Sequence, residues 1–366
     1  MNGRGSRALL TALATSLLLA GCARPAFYRG ARSDHFDGRH FFNPDGEQGS
    51  GGAQHETIWQ YLLRVAHERH QWPHSVPVTP SRPPAQIDGD RMVVTWIGHS
   101  TVLVQADGLN ILTDPVWAQR ASPVQWVGVK RVREPGVRFA SLPRIDLVLL
   151  SHDHYDHMDM HSLKELWKRD RPLIVTGLGN DVRLAARGIP AQARDWGMAI
   201  HLRPGVDIIL DRAHHWSART EDDRNLTLWT SFTVTLPGGN LFFAGDTGAG
   251  DMRWAAQAAR HGPVRLALLP IGAIHANGVV TGNHIDPVEA VTAFQQLRAG
   301  SALGIHWGTF ELTDEPIDLP PTLLRESLAA AHIAPGRFRV TEAGEQWAIP
   351  PLPSRPAPSS SSPAPR

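Results

Sequence analysis

Three histidines and three aspartates fall within the eight residues His152–Asp159, directly behind the apolar run DLVLLS at 146–151. His152, His154, Asp156 and His157 form an H-x-H-x-D-H pattern. On a strand, alternate side chains share a face, so His152, His154 and Asp156 point together. His157 joins them only where the backbone turns, and a tight loop at the end of a buried strand supplies that turn. Imidazole and carboxylate are donors suited to zinc, iron or manganese. Four of them could hold two ions if other segments complete the coordination. A solvated loop that happens to be histidine-rich is the alternative, and the spacing and the strand leading in weigh against it. A metal site further requires ionisable residues at other strand ends. His214 and His215 in RAHHWS follow the strand-like DIIL, Asp246 follows LFFAG, and His306 sits in GIHWGTF.

Positioning these residues takes a mixed α/β body. Expected strands are 92–97, 100–106 and 109–114, with a hairpin turn at 106–108, and then 146–151, a continuous apolar run of the kind covered on both faces. Later strands are read in PLIVT, DIIL, LTLWTSFTVTL, NLFFAG, LALLPIG, ALGIHWG and EQWAI. Helices are expected near Met160, Met252, Pro287 and Pro321, with Asp286 as an N-cap and Pro287 in the first turn. Many strands with interspersed helices make an α/β protein in which helices cover the sheets.

Outside this body the chain changes character. Residues 23 to about 55 are rich in Gly and Arg, a short helix is plausible over Glu56–His70, and prolines at 73, 77, 80, 83 and 84 read as an extended linker. The tail 350–366 is Pro/Ser-rich and reads as disordered. At the start, Arg4 and Arg7 precede an apolar run, Ala8–Ala20, and then LAGC at 19–22. This resembles the lipobox of bacterial lipoproteins and implies cleavage before Cys22, lipidation of its thiol and an exported, membrane-anchored protein on the periplasmic or outer face. An ordinary secretory signal is the alternative. The resulting division is 1–22 signal, 23–88 extension and linker, 89–349 catalytic domain and 350–366 tail.

The chain has 366 residues, 42% of them hydrophobic, which is ample for a full core. Its formal charge of +1 gives no sign of a nucleic-acid partner. Cys22 is the single cysteine, so an internal disulfide framework and a cysteine zinc site are both excluded.

The order H-x-H-x-D-H, a later histidine, the Asp of GDTG and a final histidine resembles the metallo-β-lactamase superfamily. The blocks TWIGHSTVLV, ILTDPVW, RASPVQWVGVKR, LLSHDHYDHMD, HHWSART, LWTSF, FFAGDTG, LPIGA, HIDPVEAV and IHWGTF resemble the N-acylphosphatidylethanolamine-hydrolysing phospholipase D family and its bacterial relatives. HFDGRHFFNP near the start is similar to those relatives too. The resemblance implies an αββα sandwich of two mixed sheets flanked by helices. It implies two Zn2+ ions, with iron or manganese also compatible. One ion would take His152, His154 and His215, the other Asp156, His157 and His306, and Asp246 would bridge them. His215 is preferred to His214 because the family's ligand immediately precedes the Trp, here Trp216. His214 is then a residue behind the ligands or at the surface.

Zinc lowers the pKa of a bound water to about 7, and a pair of ions stabilises an in-line displacement. With two carboxylates and a bridging hydroxide the site keeps excess positive charge, which favours an anionic phosphodiester, in particular a lipid one. A carboxylic ester, lactone or amide hydrolase on the same fold is the rival expectation. By the resemblance, Asp114 lies beside the site and orients ligand loops or imidazoles, or else caps a turn before Pro115. His284 would contact the phosphate or protonate the leaving group, or else only open a helix. His99 reads as a core histidine bonded to backbone, and Lys130 and Arg131 as a solvated basic pair. Trp72, Trp117, Trp126 and Trp216 read as packing residues, with membrane contact as the alternative. The relatives carry an aromatic and basic run where 274–283 reads IHANGVVTGN, so this mouth-lining stretch departs from them. His275 and Asn277 within it read as loop surface.

Overall fold

A computed structural model describes residues 27–46, 72–274 and 282–353. Cys22, the helix expected over 56–70, His275, Asn277 and the tail from 354 lie outside the described residues. Among the described residues no helix is long and apolar enough to cross a membrane.

Two seven-stranded mixed sheets form the body. The first is built from β1 (Met92–Gly98), β2 (Thr101–Ala106), β3 (Leu109–Thr113), β6 (Leu147–Leu150), β7 (Leu173–Gly177), β8 (Gln192–Arg194) and β16 (Gln346–Ala348), in the order β16-β1-β2-β3-β6-β7-β8. The second runs β15-β14-β13-β12-β11-β10-β9. Its members are β9 (Ala199–Arg203), β10 (Val206–Asp211), β11 (Ser231–Val234), β12 (Asn240–Phe243), β13 (Val264–Pro270), β14 (Ser301–Ile305) and β15 (Phe338–Arg339). A small hairpin, β4 (Arg120–Ala121) and β5 (Val129–Lys130), stands apart.

The strand β6 shows why this becomes a layered sandwich. Its four residues are all buried, and the two-residue period of a strand sends them alternately to two cores. Leu147 and Leu149 pack inward with Trp96, Val104 and Ile111 against Ile208, Phe232 and Phe243 of the second sheet. Val148 and Leu150 face outward onto Leu163 and Leu166 of α1 (Met160–Asp170) and Leu184 of α2 (Asn180–Ala185). On the far side, α3 (Arg253–Ala258), α4 (Pro287–Gln296) and α5 (Leu319–Ala330) bury Trp254, Phe294 and Leu324. The expected α/β sandwich, two mixed sheets with helices, is the fold observed. Asp286 caps α4 with a reciprocal box: it accepts from Glu289 N at 2.8 Å, and Glu289 accepts from Asp286 N at 3.0 Å.

The expected strand over 226–236 shortens to Ser231–Val234. Upstream of it the backbone bonds elsewhere: Leu228 N donates to Leu178 O and Thr230 N to Ser151 O, joining the loops of the other sheet. The edge strands β8, β9 and β15 and the short α2 carry no clear apolar period and were not expected from the sequence. The Pro-rich segment is extended but not a free spacer. Val76 N and Ser81 N donate to Val132 O and Gly136 O, and Trp72 and Ile87 are buried. Residues 27–46 also lie on the domain, with Phe36 and Phe41 packed on Leu228 and Trp229.

Candidate metal centre

Five strands lead into one place. Asp114 follows β3, the 152–157 loop follows β6, His215 follows β10, Asp246 follows β12 and His306 follows β14. The strands β3 and β6 run parallel, as do β12, β13 and β14, so these carboxyl ends gather on one edge of the sandwich. Ionisable side chains placed just beyond strand ends escape the dry interlayer core while keeping rigid supports.

The donor atoms converge as two groups. His152 Nε2 lies 2.8 Å from His154 Nδ1, and His215 Nε2 lies 3.4 Å from the same His154 nitrogen. In the second group, Asp156 Oδ2 is 3.3 Å from His157 Nε2 and 3.5 Å from His306 Nε2. Asp246 Oδ2 stands between the groups, 3.1 Å from His157 Nε2 and 3.0 Å from His306 Nε2, and 4.0 and 3.8 Å from the Nε2 atoms of His152 and His215. All seven sequence-expected ligand residues are therefore brought together.

This arrangement fits metal ions. Donors bonded at about 2.0–2.2 Å in a tetrahedron lie about 3.3–3.6 Å apart, close to the spacings seen. His157 Nε2 and His306 Nε2 face this space and are buried without a hydrogen-bond partner, and Asp246 Oδ1 is likewise buried and unpartnered. Burying such groups unpaired is costly unless a cation serves them. Burial alone would neutralise His306, but Asp246 and Asp156 outweigh it and raise that imidazole to about 9. Burial drives His154 down to about 3. The same small volume thus holds imidazoles pushed in opposite directions, a pattern that clusters at functional sites.

The surrounding contacts fix which ring nitrogens face the centre. Asp114 is fully buried and held at a positive φ of 30°. His157 Nδ1 and the Ser151 hydroxyl both donate to its Oδ2 at 2.6 Å, and Ser151 N donates to Oδ1 at 2.8 Å. Ser151 Oγ in turn is 2.9 Å from His152 Nδ1. One carboxylate therefore turns Nε2 of His157 directly, and of His152 through a hydroxyl, toward the donor space. His215 Nδ1 donates to Asn283 O at 2.8 Å and leaves its Nε2 inward. Gly248 makes room at the same place, because a Cβ there would overlap the Gly282 carbonyl oxygen.

His284 lies at the centre of this wall, with Nδ1 3.9 Å from Asp246 Oδ2 and its ring 5.2 Å from His215 and 5.1 Å from His306. Burial lowers its pKa to about 4 despite Asp246. Its Nδ1 is buried without a partner.

Several expectations need correction. The His99 ring does not bond to backbone: its Nε2 lies 3.0 Å from Asp156 Oδ2, and burial lowers its pKa to about 3. Arg131 is not solvated. It is buried, donates to Val116 O and Ala118 O and covers the Phe310 ring, whereas Lys130 is exposed. His214 is buried, with its Nδ1 3.1 Å from Asp45, so the surface alternative falls. Trp72 is buried, Trp117 bonds to Val137 O, and Trp216 packs edge-on against His154, whereas Trp126 is 80% exposed.

The sequence reading missed Ser151, Asn43, Asp45 and a buried network behind the ligand loop. In that network Arg183 pairs with Asp153 at 3.1 Å and with Asp223 at 2.9 Å, while Arg219 donates to the carbonyls of Asp153 and Met158. Ser151 had a signal, its place immediately before His152; the others act across long stretches of chain.

Comparison with known proteins agrees with this geometry. Residues 109–307 match the Beta-lactamase superfamily domain. An uncharacterized protein of Mycobacterium tuberculosis is 36% identical over 252 residues, 67% of this chain and 66% of that one, so the match leaves about a third of the relative uncovered. The N-acyl-phosphatidylethanolamine-hydrolyzing phospholipase D 1 of Caenorhabditis elegans is 34% identical over 268 residues, 70% of this chain and 75% of the other. Among solved structures, an isothiocyanate hydrolase from Delia radicum gut bacteria superposes with a TM-score of 0.56 at 18% identity, covering 70% of this chain and 99% of that one, a likeness of fold. The match over residues 109–307, together with the two mixed sheets, shows that the chain belongs to the beta-lactamase superfamily and has the metallo-β-lactamase fold.

Proposed function

We propose that the chain is a dinuclear, zinc-dependent hydrolase that cleaves a phosphodiester, in particular a lipid phosphodiester in the manner of a phospholipase D. The carrying observation is the meeting of two three-residue donor groups at Asp246 Oδ2. His152, His154 and His215 would hold one ion, Asp156, His157 and His306 the other, and Asp246 both. When bound, two such ions supply an activated water and the positive charge that an anionic transition state needs. Against that charge the donor groups set two carboxylates, Asp156 and Asp246, which favours an anionic substrate.

The chain's own residues then divide the work. Asp114 holds His157 and, through Ser151, His152 in one tautomer. His284, half-buried beside both donor groups, would hydrogen-bond a substrate oxygen. The buried strand ends keep these atoms fixed and exclude bulk water. The phospholipase D named among the relatives supports a lipid substrate, and the lipobox-like LAGC ending at Cys22 would hold the enzyme at a membrane surface where such a substrate lies.

Zinc-loaded full-length protein tests this. It is expected to hold close to two zinc ions per chain and to hydrolyse bis(p-nitrophenyl) phosphate faster than the lactam nitrocefin. Asp246→Ala is expected to lose metal and activity together. The reverse substrate order, or full activity after chelator treatment, would overturn the proposal.

A further inference from the structure

The segment Phe41–Gly46, FFNPDG, reaches the centre from 172 residues upstream of His215. Asn43 is buried and grips both backbone groups of that one residue: its Nδ2 donates to His215 O at 2.9 Å, and its Oδ1 accepts from His215 N at 3.2 Å. The strand β10 has ended at Asp211, so no sheet ladder holds this stretch. Two residues on, the Asp45 carboxylate enters between two loops. It accepts from Asp251 N at 2.8 Å on the Asp246 side. On the His215 side it pairs with Arg212 Nη2 at 2.7 Å and His214 Nδ1 at 3.1 Å. The space is made for it: a Cβ on Gly250, whose φ is +50°, would overlap Asp45 Oδ2. The loops also meet directly, through Gly248 N to His214 O at 2.6 Å and His214 N to Thr247 Oγ1 at 2.9 Å. Phe36 and Phe41 seat the segment on Ala213, Leu228 and Trp229.

We infer that Asn43 and Asp45 are positioning residues for the metal centre: they fix His215 and Asp246, 3.8 Å apart at their donor atoms, by clamping the two loops that carry them. The inference rests on the metal reading of the site. Neither residue touches the donor space; both act through backbone and through neighbours of the ligands. Contacts of this kind, made behind a ligand, set metal affinity by about 10- to 100-fold.

The test compares Asn43→Ala, Asn43→Asp and Asp45→Asn with the parent in the full chain. Asn43→Asp keeps the acceptor for His215 N–H and loses the donor to its carbonyl. Phe41→Leu serves as control, since it loosens the apolar seat of the segment and leaves both polar grips in place. Zinc affinity is read by chelator competition, and hydrogen exchange of residues 212–217 and 247–251 is read in zinc-stripped protein. We expect zinc affinity at least tenfold weaker in Asn43→Ala and Asp45→Asn, and a smaller loss in Asn43→Asp. Exchange should be faster over both loops in the zinc-stripped variants. Phe41→Leu should lower the melting temperature while weakening zinc binding less than Asn43→Ala and Asp45→Asn do. If Asn43→Ala does not fold, the other two variants decide. Affinities within about twofold of the parent, or falling no further than in Phe41→Leu, overturn the inference. A parent that binds no zinc overturns the metal reading itself; a parent that binds two ions beside equally competent variants overturns only this clamp.

Discussion

Replacing Asp114 by Asn offers the sharpest probe of how the ligands are oriented. The carboxylate serves three donors: His157 Nδ1 and Ser151 Oγ on Oδ2, each at 2.6 Å, and Ser151 N on Oδ1 at 2.8 Å. An amide has one oxygen. If it takes the Oδ2 place, its NH2 faces Ser151 N–H, donor against donor. If it takes the other place, both 2.6 Å contacts are lost. The first arrangement is the cheaper, at about 1–3 kcal/mol for one buried donor left unpaired. It also leaves His157 bonded to a neutral acceptor in place of a charged one, which lowers the basicity of its Nε2. At 1.4 kcal/mol for each tenfold, the expected weakening of metal affinity is about 10- to 100-fold. Chelator competition on zinc-loaded protein measures it, and circular dichroism of the stripped protein checks the fold. The Asn oxygen still receives His157, so two ions should bind at saturating zinc. A folded Asp114→Asn protein with parental zinc affinity would refute the idea that this carboxylate governs the imidazoles.

Other outcomes follow from the same geometry. His284→Ala, which removes one hydrogen bond to a charged oxygen worth about 1.5–3 kcal/mol, should lower kcat/KM for a phosphodiester about 10- to 150-fold with two ions still bound; loss of metal instead would make His284 a ligand. Stripping the ions should lower Tm, because ions that bind only the folded chain contribute about 2.7 kcal/mol per site at a free concentration a hundred times Kd; an unchanged Tm would count against ions bound in the folded state. Leu149→Ala, emptying a fully buried interlayer position, should cost about 2–5 kcal/mol in urea unfolding, whereas Val288→Ala at an exposed helix position should cost little. His35 gives a pH signature. Burial opposes its charge, but Asp195 at 2.7 Å and Asp34 at 2.6 Å outweigh burial and raise its pKa. The charged pair therefore stabilises the fold fully below the unfolded value of about 6.5 and loses that stabilisation as pH rises through the folded value. His35→Gln should lower the urea midpoint more at pH 5.5 than at pH 8.5; an equal loss at both would remove the ion pair from the account.

What the sequence made legible was whatever is local. The strand β6 announces itself by an unbroken apolar run, and its ligand loop by four donors in six residues, because strand, turn and chemistry are contiguous there. The His214–His215 pair, Asp246 and His306 were found for the same reason, each standing just beyond an apolar strand, while the choice of His215 over His214 came from the family resemblance. Residues whose partners are remote in sequence were misjudged. Arg131 looks solvated beside Lys130, yet the carbonyls of Val116 and Ala118 come around to receive it. His99 looks like a core residue until Asp156, 57 positions on, is folded against it. The block HFDGRHFFNP that holds Asn43 resembles the bacterial relatives, but nothing in it reveals a partner 172 residues away.

The same distinction explains how the site is made stable enough to work. A strand end fixes one backbone position, but a donor atom also needs its loop and its ring held, and a strand can supply neither. The rings are set by partners near and far in the chain: Ser151 beside His152, Asp114 behind His157 and Asn283 behind His215. The loop is set by remote ones: Arg183 and Arg219 behind 152–158, and Asn43 and Asp45 behind 212–216 and 246–251. Because these clamps join segments far apart in the chain, the donor space is complete only in the finished fold. Seven clustered ionisable groups, five of them buried, would be costly to hold in an apolar core. Placing them just beyond the strand ends, at the edge of the two sheets, keeps them out of the apolar interlayer core.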